Sequence, residues 1–252
     1  MLSQEHVPPQ KAYNEQTMTR MNFEQFTAAL YGQKPKSQIQ QGGASDYTLC
    51  EECNNKTGSW YGGPFVQWAR QGMHTLCKDC LRTTPIPFHP TIRPLCVLKQ
   101  IVCMFLSINS VAFRGEHAEL PAFVLQKSKR NLPPNYRFFV YFLARSSFRR
   151  AGMTGIIQLD PQTLRPRRTN WQTEFSHQPF GYVMTVDSQP PDDRLCEISH
   201  FGSCKFDEER DFHLKLTVLE THFPFPGDYR CADEIREDFR RGLEAEKKQA
   251  HP

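Results

Sequence analysis

The sequence predicts an α+β protein in two parts, a small cysteine-bearing module over residues 1–84 and a larger α+β domain with a mainly antiparallel sheet over residues 91–252. Three observations predict it. Both CxxC pairs, Cys50/Cys53 and Cys77/Cys80, fall in the first part. The stretch TTPIPFHP at 83–90 follows, and its prolines break regular structure and mark a boundary. Beyond it, one apolar helical run precedes several segments rich in aromatic and β-branched residues, the order expected when strands and helices are segregated along the chain.

Taken in order, residues 1–48 are polar and rich in Gln, with one helical signal at Met21–Leu30, where Phe23, Phe26 and Leu30 recur at helical spacing. Residues 33–44 read as linker, and the cysteine-bearing segment occupies 49–82. From Thr91 to Phe113 the pattern is a helix starting near Pro94 that is apolar on most faces, hence a buried core helix. Strands are predicted at Arg137–Leu143, Gly155–Leu159, Tyr182–Val186, Arg194–Ser199 and Phe212–Glu220, separated by the turn signals LPPN, DPQT and QPPDD. In the last strand Phe212, Leu214, Leu216 and Val218 alternate onto one face. Ala232–Lys248 closes the chain as an amphipathic helix with Ile235, Phe239 and Leu243 four apart.

Composition narrows the class. A chain with 38% hydrophobic and 12% aromatic residues can bury a core, and a net charge of +4 tolerates a nucleic-acid partner without demanding one. Arg145, Arg149, Arg150, Arg165, Arg167 and Arg168 crowd one span, either a phosphate-contacting face or a solvated surface. The most apolar run, Cys96–Ile108, is too short for a bilayer, which needs about 20 residues. With no secretory leader either, the expectation is a cytoplasmic protein with no membrane partner.

In a reducing compartment, nine cysteines point to metal ligands and buried thiols before disulfides. A CxxC turns tightly enough to aim two thiolates at one tetrahedral ion, but two ligands alone do not hold zinc. Cys50, Cys53, Cys77 and Cys80 are therefore the candidate set for a structural Zn²⁺. Cys96, Cys103, Cys196, Cys204 and Cys231 stand singly in apolar or strand-like sequence and read as structural thiols.

The residues around the first knuckle are more specific. CEECNNKTG at 50–58, preceded by GGASDYTL and far upstream by EHVPP at 5–9, resembles the His-Asn-His (HNH) endonuclease family, in particular its members with a CxxC knuckle. The resemblance covers residues 4–60. It implies a ββα-metal, treble-clef-like module in which His6 activates water as general base. Glu5 and Asn54 would hold a catalytic Mg²⁺ or Mn²⁺, Lys56 would meet phosphate, and zinc would lock strands to helix. Hydrolysis of DNA phosphodiesters needs such a base and such a hard, partly hydrated cation. Such members also carry a CxxC ahead of the acidic-His strand, where only Met1–Gln4 stand. Either the chain extends upstream, or Cys77 and Cys80 serve as co-ligands.

Three readings stay open: an HNH-type nuclease acting on DNA, a non-catalytic zinc module that binds nucleic acid or protein, or a structural appendage over residues 1–90 with the function wholly in the second domain. Trp60, Tyr61, Phe65 and Trp68 either stack on bases or pack the module on its neighbour. His200, His213 and His222 match no ligand spacing.

Overall fold

The computed structural model describes residues 1–21, 24, 25, 28, 33, 34, 37–79, 85–146, 148–159, 165–221 and 226–250. Most of the helix expected over Met21–Leu30, together with Cys80 and His222, lies outside them. The first part runs β1 (Leu2–His6), β2 (Met18–Arg20), β3 (Gln38–Gln40), β4 (Ser45–Cys50), α1 (Glu51–Thr57), a π-helical turn at Gly58–Gly62, and α2 (Gly63–Asp79). Next come β5 (Ile86–Phe88), β6 (Thr91–Ile92), α3 (Pro94–Ile108), α4 (Val111–Glu116) and α5 (Glu119–Leu125). The last part comprises β7 (Tyr136–Ser146), β8 (Arg149–Leu159), β9 (Pro166–His177), β10 (Phe180–Val186), β11 (Cys196–Glu197), a 3₁₀ turn at Ser199–Ser203, β12 (Arg210–Asp211), β13 (Leu214–Leu216), β14 (Val218–Thr221) and α6 (Ala232–Ala250).

The architecture is α+β, and its sheets are mostly antiparallel. The main sheet has the order β11-β7-β10-β9-β8, with β14 added in parallel to β7. Strand β10 sits inside it and is buried along its whole length, which accounts for its unbroken apolar run FGYVMTV. One face of the sheet, carrying Phe138, Val140, Phe142, Phe175, Tyr182 and Met184, shares a core cluster with α3 and α2. The other face forms a smaller cluster, Phe139, Tyr141, Leu143, Val183, Leu195, Leu219 and Tyr229, under the loops 187–195 and 226–231.

Helix α3 is buried from Pro94 to Ser107, as its apolar circumference requires. Its one cation, Lys99, is satisfied internally. The Lys99 Nζ donates to the carbonyls of Gln126 and Lys127 just past the end of α5 and lies 4.6 Å from the Phe123 ring centroid. Orphan carbonyls at a helix C-terminus attract a cation. Burial nevertheless lowers the pKa of this ammonium to about 8.

Helix α2 is fixed to the sheet through Trp68, whose indole Nε1 donates to the Tyr182 hydroxyl at 2.9 Å and whose ring stacks on Phe180 at 4.7 Å. The core thus takes side chains from both sides of the proline-rich stretch 83–90.

Two sequence expectations are corrected here, and one strand is added. The strand expected at Phe212–Glu220 is two short ones with different partners, β13 against β5 and β14 against β7, because the chain leaves one ribbon for the main sheet at Thr217. Of Arg194–Ser199, only Cys196–Glu197 is extended, and the rest is turn. Strand β9 was not expected, because its row Asn170, Gln172, Glu174 is polar although buried. Among the described residues, no helix is long and apolar enough to cross a membrane.

Candidate functional site

Strand β1 lies antiparallel to β4, with Glu5 opposite Asp46 and His6 opposite Ser45, and α1 follows β4 without a break. Two strands and a helix are thereby tied in one unit. Cys50 caps α1 in an extended conformation, its Sγ accepting from the Cys53 backbone N at 3.3 Å, as an N-cap side chain does. Asn54, on the first turn, reaches back to β1: its Nδ2 donates to the Gln4 carbonyl and to Ser3 Oγ, both at 3.0 Å.

Glu5 faces inward. Its carboxylate accepts from the hydroxyls of Ser107 on α3 and Thr48 on β4, the latter at 3.2 Å, and those two hydroxyls lie 2.7 Å apart. Burial pushes the Glu5 carboxyl up to about 7, against the opposing pull of the two hydroxyls and of Arg150 and Arg114. Successive strand residues face opposite sides, so His6 is turned away from Glu5 and is half-buried. The structure therefore brings Glu5 to Ser107 and Thr48, and Asn54 to Ser3 and Gln4, and it does not join Glu5, His6 and Asn54 through a shared partner. Ser107 gave no sequence signal, since it meets Glu5 across a separation of 102 residues.

Lys56 pairs with Glu52 one turn back, at 2.5 Å, on the exposed side of α1. On β4, Asp46 bridges Arg20 at 2.9 Å and Arg150 at 2.6 Å. Partial burial would raise the Asp46 carboxyl, but the two guanidiniums win and hold it below its usual range. Arg149 is buried against Glu174 on β9, so these two arginines of the basic span are already engaged by carboxylates.

The thiols of Cys50 and Cys53 are neighbours that perturb each other. Hydrogen bonds from the Cys53 side chain and backbone lower the Cys50 thiol, while the bond to Cys50 pushes Cys53 up to about 11. Cys77 is exposed near the far end of α2, fourteen residues after Gly63 and so about 21 Å along the helix at 1.5 Å per residue. Among the described residues, no three His, Cys, Asp or Glu side chains are grouped to hold a metal ion. Trp60, Tyr61, Phe65 and Trp68 belong to the packing and not to an open groove: Tyr61, Phe65 and Trp68 are buried and Trp60 packs against the core.

A separate surface recess of about 560 Å³ lies over the second cluster, lined in part by Ile156, Gly227 and Tyr229. At its rim Arg194 and Arg230 are each paired with the aspartate two residues before, Asp192 and Asp228. No protein family, curated protein or solved structure matches the chain.

Proposed function

We propose that residues 1–62 act as a non-catalytic zinc knuckle that docks nucleic acid onto the antiparallel scaffold behind it. One observation carries the choice of binding over hydrolysis. A carboxylate that holds a hydrated Mg²⁺ or Mn²⁺ must be ionised and reachable by water, whereas Glu5 is 5% exposed, bonded to Ser107 and Thr48, and pushed up to about 7. Zinc is supported by the donor chemistry of Cys50 and Cys53. Two adjacent thiols with an N–H···S bond at a helix start supply half of a tetrahedral set. The other two positions would be filled by donors outside this unit. Nucleic acid is supported by the resemblance at CEECNNKTG and by the half-exposed cations Arg20 and Lys56, whose carboxylate partners a phosphate can replace. Tyr47, 64% exposed on β4, offers a ring for stacking.

The hydrolytic alternative rests on the strand-strand-helix order and on Asn54 in the first turn of α1, with His6 as base. One experiment separates the two. The purified chain, incubated with plasmid and Mg²⁺ or Mn²⁺, is expected to retain DNA in a salt-dependent manner and leave it uncut. Nicking that disappears in His6→Ala would establish the nuclease instead. Absence of binding to both single- and double-stranded DNA would remove the nucleic-acid reading.

A further inference from the structure

The ribbon that joins the proline-rich stretch to the late strands carries two histidines whose rings meet edge to face, centroids 4.8 Å apart. Strand β5 pairs with β13 in the register Phe88 to Leu214, and β6 pairs with β12 in the register Thr91 to Asp211. Alternation along this ribbon is regular. Ile86, Phe88, Ile92, Leu214 and Leu216 point into the core, while His89, Thr91, Asp211 and His213 are exposed on the outer side. The imidazoles of His89 and His213, 124 residues apart in the chain, approach through their Nδ1 atoms to 2.7 Å. Next along the same face, Thr91 Oγ1 donates to Asp211 Oδ1 at 2.5 Å.

We propose that His89 and His213 form a binding site for one borderline divalent transition-metal ion, of the class of Ni²⁺, Zn²⁺ or Cu²⁺. Two Nδ1 lone-pair positions aimed at one point can be satisfied by a single bridging proton or by a metal ion. Imidazole suits ions of this class. At about 2.05 Å from each nitrogen, a tetrahedral ion requires the two donors about 3.3 Å apart. The rings need only open by about 0.6 Å from their present distance, and both side chains are exposed and free to turn. Asp211, two residues from His213 on the same exposed side and bonded by Thr91, adds a negative charge near the pair without being grouped with it as a ligand. Water fills the remaining positions. The site is separate from Cys50, Cys53 and Cys77, which lie on β4, α1 and α2. Because its donors come from two distant segments, the site exists only in the folded chain, and metal binding there stabilises the fold.

The test titrates the full chain, stripped with chelator, with NiCl₂ at pH 7.5, using calorimetry and thermal unfolding. The same titration is run on His89→Gln, His213→Gln, Asp211→Asn and the double variant Cys50→Ser/Cys53→Ser. The expected result is one equivalent of Ni²⁺ bound, with a raised Tm and no thiolate charge-transfer band, in the cysteine variant; the parent binds this same equivalent in addition to any Ni²⁺ taken up by Cys50 and Cys53. Affinity falls at least about 10-fold in either histidine variant, and by less in Asp211→Asn. If the cysteine variant fails to fold, loss of one equivalent from the parent on His89→Gln or His213→Gln carries the same decision. The proposal is overturned if the histidine variants bind Ni²⁺ as tightly as the parent, or if no binding occurs up to ~1 mM, the weak end of specific association.

Discussion

At the scale of single residues, the chain spends its most unusual chemistry on packing. Glu5 has an ordinary carboxyl value near 4.5 that burial raises to about 7 in the folded protein. Between those values the folded state holds a proton that the unfolded state has released, so stability falls as pH rises from about 4.5 to 7. A shift of that size corresponds to about 3 kcal/mol. Glu5→Gln, which keeps the amide in reach of Ser107 and Thr48, is expected to flatten this dependence and to be the more stable protein at pH 8, as read by urea unfolding across pH. An unchanged pH profile would show that the carboxyl is not titrating in the core. The pair of Arg149 and Glu174 behaves differently. Glu174 also accepts from Tyr141 Oη at 2.8 Å and from the Gly227 backbone N at 3.0 Å, and both charged side chains are buried. Glu174→Ala leaves the buried guanidinium without its carboxylate, with the Asp228 carbonyl still accepting from it at 3.2 Å, and is expected to cost 3–5 kcal/mol, roughly the loss found when one partner of a buried ion pair is removed. Replacing both by apolar residues of similar volume costs far less, a comparison that a double-mutant cycle reads directly.

At the scale of elements, local preference and packing can pull in opposite directions, and helix α2 shows which wins. Gly72 lies inside this helix, where Gly→Ala is ordinarily worth up to about 1 kcal/mol in favour of alanine. A Cβ at this position would stand 2.1 Å from Cζ of Phe180, whose ring is itself wedged between Trp68 and Phe142. The ring has nowhere to go, so Gly72→Ala is expected to destabilise by roughly 1–3 kcal/mol, the range for overpacked cores, in chemical denaturation. Helix α6 presents the contrary case. Its amphipathic stripe was legible in the sequence, yet Phe239 is 69% exposed and Leu243 is 43% exposed. Phe239→Ala should therefore change stability by less than about 0.5 kcal/mol. Elements could be read from the sequence where burial and apolar character coincide, as in α3, β7 and β10. They could not where a buried strand is polar. Asn170, Gln172 and Glu174 give β9 the look of a loop, and Arg149 and Arg150 open β8 although they read as a basic surface. The knuckle was legible as a strand running into a helix, because Cys50, Cys53 and Asn54 act within a few residues of one another. What surrounds it was not, since Ser107 reaches Glu5 only through the tertiary fold.

At the scale of the whole molecule, the proline-rich stretch has the composition of a linker, but its residues Ile86–Phe88 form strand β5. Pro87 occupies an exposed position of β5, the kind of edge site that tolerates a missing N–H, while Ile86, Phe88 and Ile92 are carried into the core. The same core includes Tyr61, Phe65 and Trp68 from the first part, with Trp68 against Phe88, Phe180 and Phe201 from the second. Contacts of this kind cannot be lost from one part without uncovering the other. Trp68 is fully buried, so in a Trp60→Phe/Trp171→Phe background its fluorescence reports the contact while far-UV circular dichroism reports the sheet and helices. The two signals are expected to change together in a single transition, the mark of one cooperative unit. A chain begun at residue 91 would lack α2 and expose the rings of Phe180 and Tyr182. It is expected to bind a hydrophobic dye, or to aggregate, where the full chain does neither. If residues 91–252 instead unfolded cooperatively at the denaturant midpoint of the full protein, the aromatic contacts of α2 would be dispensable, and the two parts would fold independently.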